Sequence, residues 1–147
     1  MKHVVLLVTV ALVLGLAGAA VAGASATTLT SAQDEVVRVE VGPTAKLIED
    51  DQAVRIKVKV TCEPEPVDHI LEALLFVQQE GAYGEGFLSS VVCDGKTHVH
   101  MEEVEASDGA FRPGEAFVSA FVLVCLDAEC AQSVQGQETR LVRVVGS

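Results

Sequence analysis

The chain has 147 residues, with ten Lys and Arg against 21 Asp and Glu, four Cys, four His, no Trp and a formal charge of −11. That length suits one domain. The acidic balance argues against the basic face that nucleic acid or an anionic membrane surface requires, and a composition that is 50% hydrophobic excludes an intrinsically disordered chain.

Lys2 and His3 precede an apolar run from Val4 to Leu16, broken by Thr9 and Gly15, and small residues follow as far as Ala26. This is the layout of a secretory signal peptide over residues 1–26, with Ala20-Val21-Ala22 and Ala24-Ser25-Ala26 both acceptable to a signal peptidase. An uncleaved anchor is the alternative, but the run falls short of the ~20 residues of a spanning helix. No Cys stands near the cleavage region to carry a lipid. The expectation is a protein outside the cytoplasmic membrane, with no membrane attachment after cleavage. Residues 27–35 are small and polar and read as a flexible lead-in, leaving 36–147 as the folded domain.

From Val36 the apolar pattern has period two, as in a strand with one buried face. Gly42-Pro43 interrupts a first strand that resumes to Ile48, and Glu49-Asp50-Asp51 reads as an acidic turn. In the second strand Val54, Ile56, Val58, Val60 and Cys62 alternate with Arg55, Lys57, Lys59 and Thr61. The basic stripe is either a landing strip for an anionic polymer or a solvated face paired with acids such as Glu40; the net charge favours the second. Glu63-Pro64-Glu65-Pro66 is a loop. Ile70 to Gln79 fits both a strand and a helical face, and the all-strand context selects strand. Gly81, Gly84 and Gly86 read as a turn, Phe87 to Cys93 as the fourth strand and Thr97 to Val104 as the fifth, with Asp94-Gly95 as the hairpin between them. Ala116 to Cys125 is apolar on both faces and reads as a central strand; Thr139 to Val145 is the last. The fold expected is all-β: an immunoglobulin-like, seven-stranded antiparallel sandwich, without the inward Trp of antibody domains.

Outside the cytosol Cys62, Cys93, Cys125 and Cys130 are expected to be oxidised. A zinc site would need a second close pair beside Cys125 and Cys130, whereas Cys62 and Cys93 are far apart in the chain. If consecutive strands run antiparallel, all four sulfurs gather at one end of the sandwich. Pairing Cys62 with Cys93 and Cys125 with Cys130 then ties neighbouring strand ends; an antibody-like Cys62–Cys125 bridge is the alternative.

Sites for chemistry are few. His98, His100 and Glu102 share one strand face and are the candidate zinc ligands, but Val99 and Met101 read as the buried face, which leaves the three in solvent. Ser89 or Ser90 with His98 and Asp94 would compose a triad, without the sequence context of a nucleophile elbow. Glu63, Glu65, Asp68, Asp94, Asp127 and Glu129 form an acidic rim at the cysteine end, without a D-x-D-x-D-G calcium loop. The reading is therefore no catalytic residue, no metal and no cofactor.

Val60-Thr61-Cys62, Leu71-Glu72-Ala73, the strand end at Gln79, Val92 to His98 and Phe111 to Ala116 together resemble a family of small secreted bacterial, mostly actinobacterial, immunoglobulin-like proteins, over about Val36 to Val145. That resemblance implies fold and export, and the family has no assigned activity. The Cys125-x4-Cys130 spacing is similar to the neocarzinostatin-type apoproteins, which are secreted, acidic, seven-stranded sandwiches with two disulfides; the first cysteine pair is far more widely spaced here. The expected function is a secreted, non-catalytic module that binds an extracellular or cell-envelope partner through its surface or end loops. The alternative, implied by the second resemblance, is a carrier of a small apolar ligand in a cleft of the sandwich.

Overall fold

A computed structural model describes residues 36–48 and 52–146. The expected signal peptide, the lead-in and the acidic turn Glu49–Asp51 lie outside them. Every regular element described is a strand: β1 (Val37–Ile48), β2 (Ala53–Cys62), β3 (His69–Gln79), β4 (Ala82–Phe87), β5 (Thr97–Gly109), β6 (Gly114–Cys125) and β7 (Ser133–Val145). Hydrogen bonding runs β1-β2-β5-β4-β3-β6-β7 and returns to β1, so the sheet closes into a barrel instead of standing as two open layers.

The closure comes from β1. Gly42, Pro43 and Thr44 stand opposite the single residue Lys57, because Val41 pairs with Val58 and Ala45 with Ile56. Proline has no N–H to give a ladder, and the bulge turns β1 toward β7, which it joins in parallel through Thr44, Ala45 and Lys46. Above that short ladder, side chains complete the seam. The Glu138 carboxylate accepts the Val41 N–H, and the Arg140 guanidinium donates to the Val41 carbonyl at 2.9 Å. Val41 is buried, so these two contacts satisfy backbone groups that would otherwise cost about 1–3 kcal/mol each.

Valine dominates the interior. Val37, Val39 and Val41 from β1, Val54, Ile56, Val58 and Val60 from β2, Val118, Val122 and Val124 from β6, and Val142 and Val144 from β7 are all buried, with Phe111 as the largest side chain among them. Branched side chains suit a pleated, packed face, and the period-two reading of β1 and β2 places the same residues inside.

The middle of the chain departs from expectation. The glycines of Ala82–Phe87 lie within a strand, not a turn. Only Gly81, at φ +76°, turns the chain, in a two-residue connection that pairs Gln79 with Ala82. Gly84 is where two backbones meet: a Cβ there would lie 2.4 Å from the Glu105 carbonyl oxygen. Leu88 to Lys96, expected to contain the fourth strand, is instead a loop. Leu88 N–H donates to Ala73 at 3.0 Å and Gly95 N–H to Cys62 at 2.9 Å. Asp94-Gly95 does make a turn, with Gly95 at φ +75°, but the strands flanking this loop meet only at the far end of β5, where Ala82 pairs with Gly109 and Gly84 with Ala106. The loop covers the stretch of β5 that β4 leaves.

Two disulfides are present: Cys62–Cys93, with a Cα separation of 4.4 Å, and Cys125–Cys130, at 4.8 Å. The first ties the end of β2 to the covering loop. The second closes the turn between β6 and β7.

Candidate interaction surface

The strand face expected to be wet is the inner one. Val99 and Met101 are 55% and 57% exposed, while His100 is buried and Glu102 nearly so. Register explains the inversion: His98, His100, Glu102 and Val104 stand opposite Val60, Val58, Ile56 and Val54, and directly paired residues share a face. The core side of β2 therefore sets the inner side of β5, whatever the local hydrophobicity. The three candidate ligands do not converge. His98 Nε2 lies 2.9 Å from Asp94 Oδ1, and His100 Nδ1 lies 3.9 Å from Glu102 Oε1. Glu102 accepts the Ser89 N–H at 2.9 Å and its hydroxyl at 2.7 Å. Among the described residues, no three His, Cys, Asp or Glu side chains are grouped to hold a metal. The triad of Ser89, His98 and Asp94 is likewise divided, since Ser89 belongs to Glu102.

These contacts fasten the covering loop. His100 Nε2 is buried without a protein hydrogen-bond partner among the described residues. Replacing an unsatisfied polar group by an apolar one of similar size removes a desolvation cost. His100→Leu is accordingly expected to raise stability by about 1 kcal/mol in urea unfolding; a fall would show that the imidazole has a partner.

In the acidic rim, Asp127 and Asp94 accept hydrogen bonds from neighbouring backbone. Asp127 accepts the N–H of Ala131 at 2.9 Å, of Gln132 at 2.8 Å and of Glu129 at 3.1 Å. These bonds, Ala131 first, hold its carboxyl below the ordinary value of 3.8. Asp94 is held low in the same way, by His98 and the Lys96 N–H. A pKa lower in the folded than in the unfolded chain supplies stability above the unfolded value, and that stability disappears as pH falls through the folded one. The amide resonances of Ala131 and Gln132 are therefore expected to titrate together below about pH 4, and to lose that response in Asp127→Asn.

The basic stripe is partly paired: Arg55 binds Glu103 and Lys59 reaches Glu40 at 3.5 Å. Lys57 has no ion-pair partner among the described residues.

On the opposite wall the outer face is aromatic. Paired positions across β4, β3, β6 and β7 form rows. One row holds Tyr83, Gln78, Phe117 and Leu141; the next holds Glu85, Phe76, Ser119 and Thr139; a third holds Phe87, Leu74, Phe121 and Gln137. Four of the five phenylalanines and the single tyrosine thus stand on one outer face, and only Phe111 is in the core. Phe87 is 75% exposed and Phe117 56%. Strand spacings of about 4.8 Å and same-face repeats of about 6.8 Å make this a patch of a few hundred Å². Polar groups inside it satisfy one another: Ser119 and Thr139 hydroxyls lie 2.8 Å apart. Tyr83 donates to Glu85 at 3.2 Å; partial desolvation and that carboxylate push its hydroxyl above the usual phenol range. Glu72, Glu80 and Glu115 mark the margin, with Arg143 opposite Glu115. A groove of about 460 Å³ opens beside Phe117 and Leu141.

The apolar character of both faces of Ala116–Cys125 is read in the sequence as a sign of a central strand. β6 is central, between β3 and β7, but its outer Phe117, Phe121 and Leu123 are not covered by a second layer. The missed signal is chemical: the inner phase is valine and alanine, the outer one phenylalanine and leucine. Comparison with protein-family models, curated proteins and solved structures finds no match to this chain.

Proposed function

We propose that this protein is a secreted, non-catalytic, immunoglobulin-like binding module whose aromatic sheet face engages an extracellular or cell-envelope protein. Two disulfides are typical of proteins in oxidising compartments, and the signal-peptide pattern of residues 1–26 agrees with export. The strand order supports the immunoglobulin-like reading: β1-β2-β5-β4 and β3-β6-β7 follow the ABED and CFG order of that sandwich, with β1 and the β3–β4 hairpin joining the two halves.

The observation that carries the binding function is the placement of the aromatics. Burying a Phe stabilises a fold by about 1.5–3 kcal/mol, and this chain leaves four Phe on one outer wall. Exposed apolar patches with a polar margin mark interaction sites, and aromatics are enriched at the centres of protein interfaces. The margin carries Glu72, Glu80 and Glu115, with Arg143 opposite Glu115, and the chain as a whole is acidic. A second copy would set Glu72, Glu85 and Glu115 against their own equivalents or near them, so the occupant is a different protein, with apolar side chains at its centre and Lys or Arg around them.

The test uses the purified protein as bait on culture supernatant and cell-envelope extract, alongside Phe117→Ser and Phe121→Ser. Capture of a protein with a basic surface by the parent, and its loss with both variants while Arg55→Gln retains it, is the expected result. Retention by both Phe variants, or a homodimer in sedimentation, overturns it. The carrier reading has one observation in its favour, the groove beside Phe117 and Leu141, and predicts binding of a small apolar dye that Leu141→Glu abolishes.

A further inference from the structure

We infer that the seam between β1 and β7 is a binding site for a phosphate-type oxyanion. A pocket of about 370 Å³ opens there, and Arg38, Lys57, Lys59 and Arg140 line it together with Glu40 and Glu138. Four of the chain's ten Lys and Arg residues gather in this one hollow of an acidic protein.

Both carboxylates are already engaged. Glu138 accepts the Val41 N–H. Glu40 is shared by Arg38, at 2.8 Å, and Lys59, at 3.5 Å. Arg140 spends one N–H on the Val41 carbonyl and keeps others free, since a guanidinium carries five. Lys57 has no ion-pair partner among the described residues. The six side chains leave a formal excess of two positive charges, which matches a doubly charged oxyanion.

The hollow is built by the backbone. Three residues of β1 bulge over Lys57, and at its floor a Cβ on Gly42 would come within 3.1 Å of the Lys57 carbonyl oxygen and 3.3 Å of its Cβ. A side chain at this position would be tightly crowded against Lys57 and would narrow the space above it. Concave, partly walled sites focus the field of their charges, so these cations attract an anion more strongly than the same residues would on a flat face. Arg38 and Arg140 supply planar forks suited to paired oxyanion oxygens, and the two lysines supply point charges.

The ligand chemistry is a phosphate oxyanion, whether the free ion or the ester groups of an anionic polymer continuing along the Arg55-Lys57-Lys59 row. Amide spectra of the protein titrated with inorganic phosphate and with long-chain polyphosphate, at ionic strength matched by sodium chloride, distinguish the two. Saturable shifts confined to Val41, Gly42, Lys57 and Arg140 are expected. Response to both probes assigns the free ion, and response to polyphosphate alone assigns the polymer. Lys57→Gln is expected to weaken binding about tenfold and Arg38→Gln/Lys57→Gln further, with melting temperatures unchanged because these side chains are solvated; Arg112→Gln, outside the pocket, is expected to bind as the parent does. Shifts reproduced by sodium chloride alone, absence of localised shifts with both probes, or undiminished binding by the double variant overturns the proposal.

Discussion

Replacing Cys62 and Cys93 together by alanine is expected to lower the thermal midpoint by roughly 10–15 °C, from a loss of about 3–4 kcal/mol. Replacing Cys125 and Cys130 is expected to cost less, about 2 kcal/mol. The difference follows from loop closure: the first bridge joins residues 31 apart and the second residues 5 apart. A longer unfolded loop loses more entropy when it is closed. The first bridge also pins the covering loop over β5. Without it, the loop Leu88 to Lys96 is left with the contacts of Ser89 with Glu102 and of Asp94 with His98, the backbone bonds of Leu88 and Gly95, and the buried Leu88 side chain. Hydrogen exchange in that loop is therefore expected to quicken in the Cys62→Ala/Cys93→Ala variant and to stay unchanged in Cys125→Ala/Cys130→Ala. Equal melting shifts for the two variants would contradict the ranking.

The second large effect separates the phenylalanines. Phe111 has no exposed surface, and its ring reaches within 3.1 Å of where a side chain on Gly84 would begin. Phe111→Ala is expected to destabilise by about 3–5 kcal/mol, a large fraction of the 5–15 kcal/mol typical of a domain, in urea unfolding. Phe87→Ala and Phe117→Ala are expected to change stability by about 0.5 kcal/mol or less, since most of each ring is already in water. If Phe117→Ala destabilised as much as Phe111→Ala, the outer aromatics would be part of the fold's own packing and not a surface held for a partner.

Much of the fold is legible along the chain because period-two alternation reports burial directly wherever one face is apolar and the other charged. β1 and β2 are such cases: valines alternate with Arg, Lys and Glu, and a register slip of one residue would put every charge inside. The long apolar segment from Ile70 to Gln79, open to a helical reading, is a strand because β4 and β6 flank it on both sides. The all-β character and the two disulfides follow from composition and spacing, whereas the fourth strand, expected at Phe87 to Cys93, lies at Ala82–Phe87. The signal-peptide pattern belongs to residues outside those described.

Where the two faces of a strand carry similar chemistry, the pattern loses its meaning. In β5 the apolar residues Val99 and Met101 oppose the histidines, and local hydrophobicity assigns the inside wrongly. Pairing with β2 decides it, because one buried row of valines on a neighbour fixes which side of the next strand faces the core. In β6 both phases are apolar, so hydrophobicity does not tell which is covered, and only the division into small or branched and large side chains distinguishes them. The glycines of β4 mark a close approach of strands that pair through distant residues, and turn chemistry alone cannot distinguish that from a loop. Closure of the barrel pairs β1 with β7 across nearly a hundred residues of chain, through the Thr44–Lys46 ladder and the contacts of Glu138 and Arg140 with Val41. Local alternation thus determined the strand character of β1 and β2 and the burial of their valines. The inner face of β5, the uncovered aromatic wall and the cationic seam were decided by tertiary structure, because each depends on which strand lies next to which, and that adjacency is set by packing over the whole barrel.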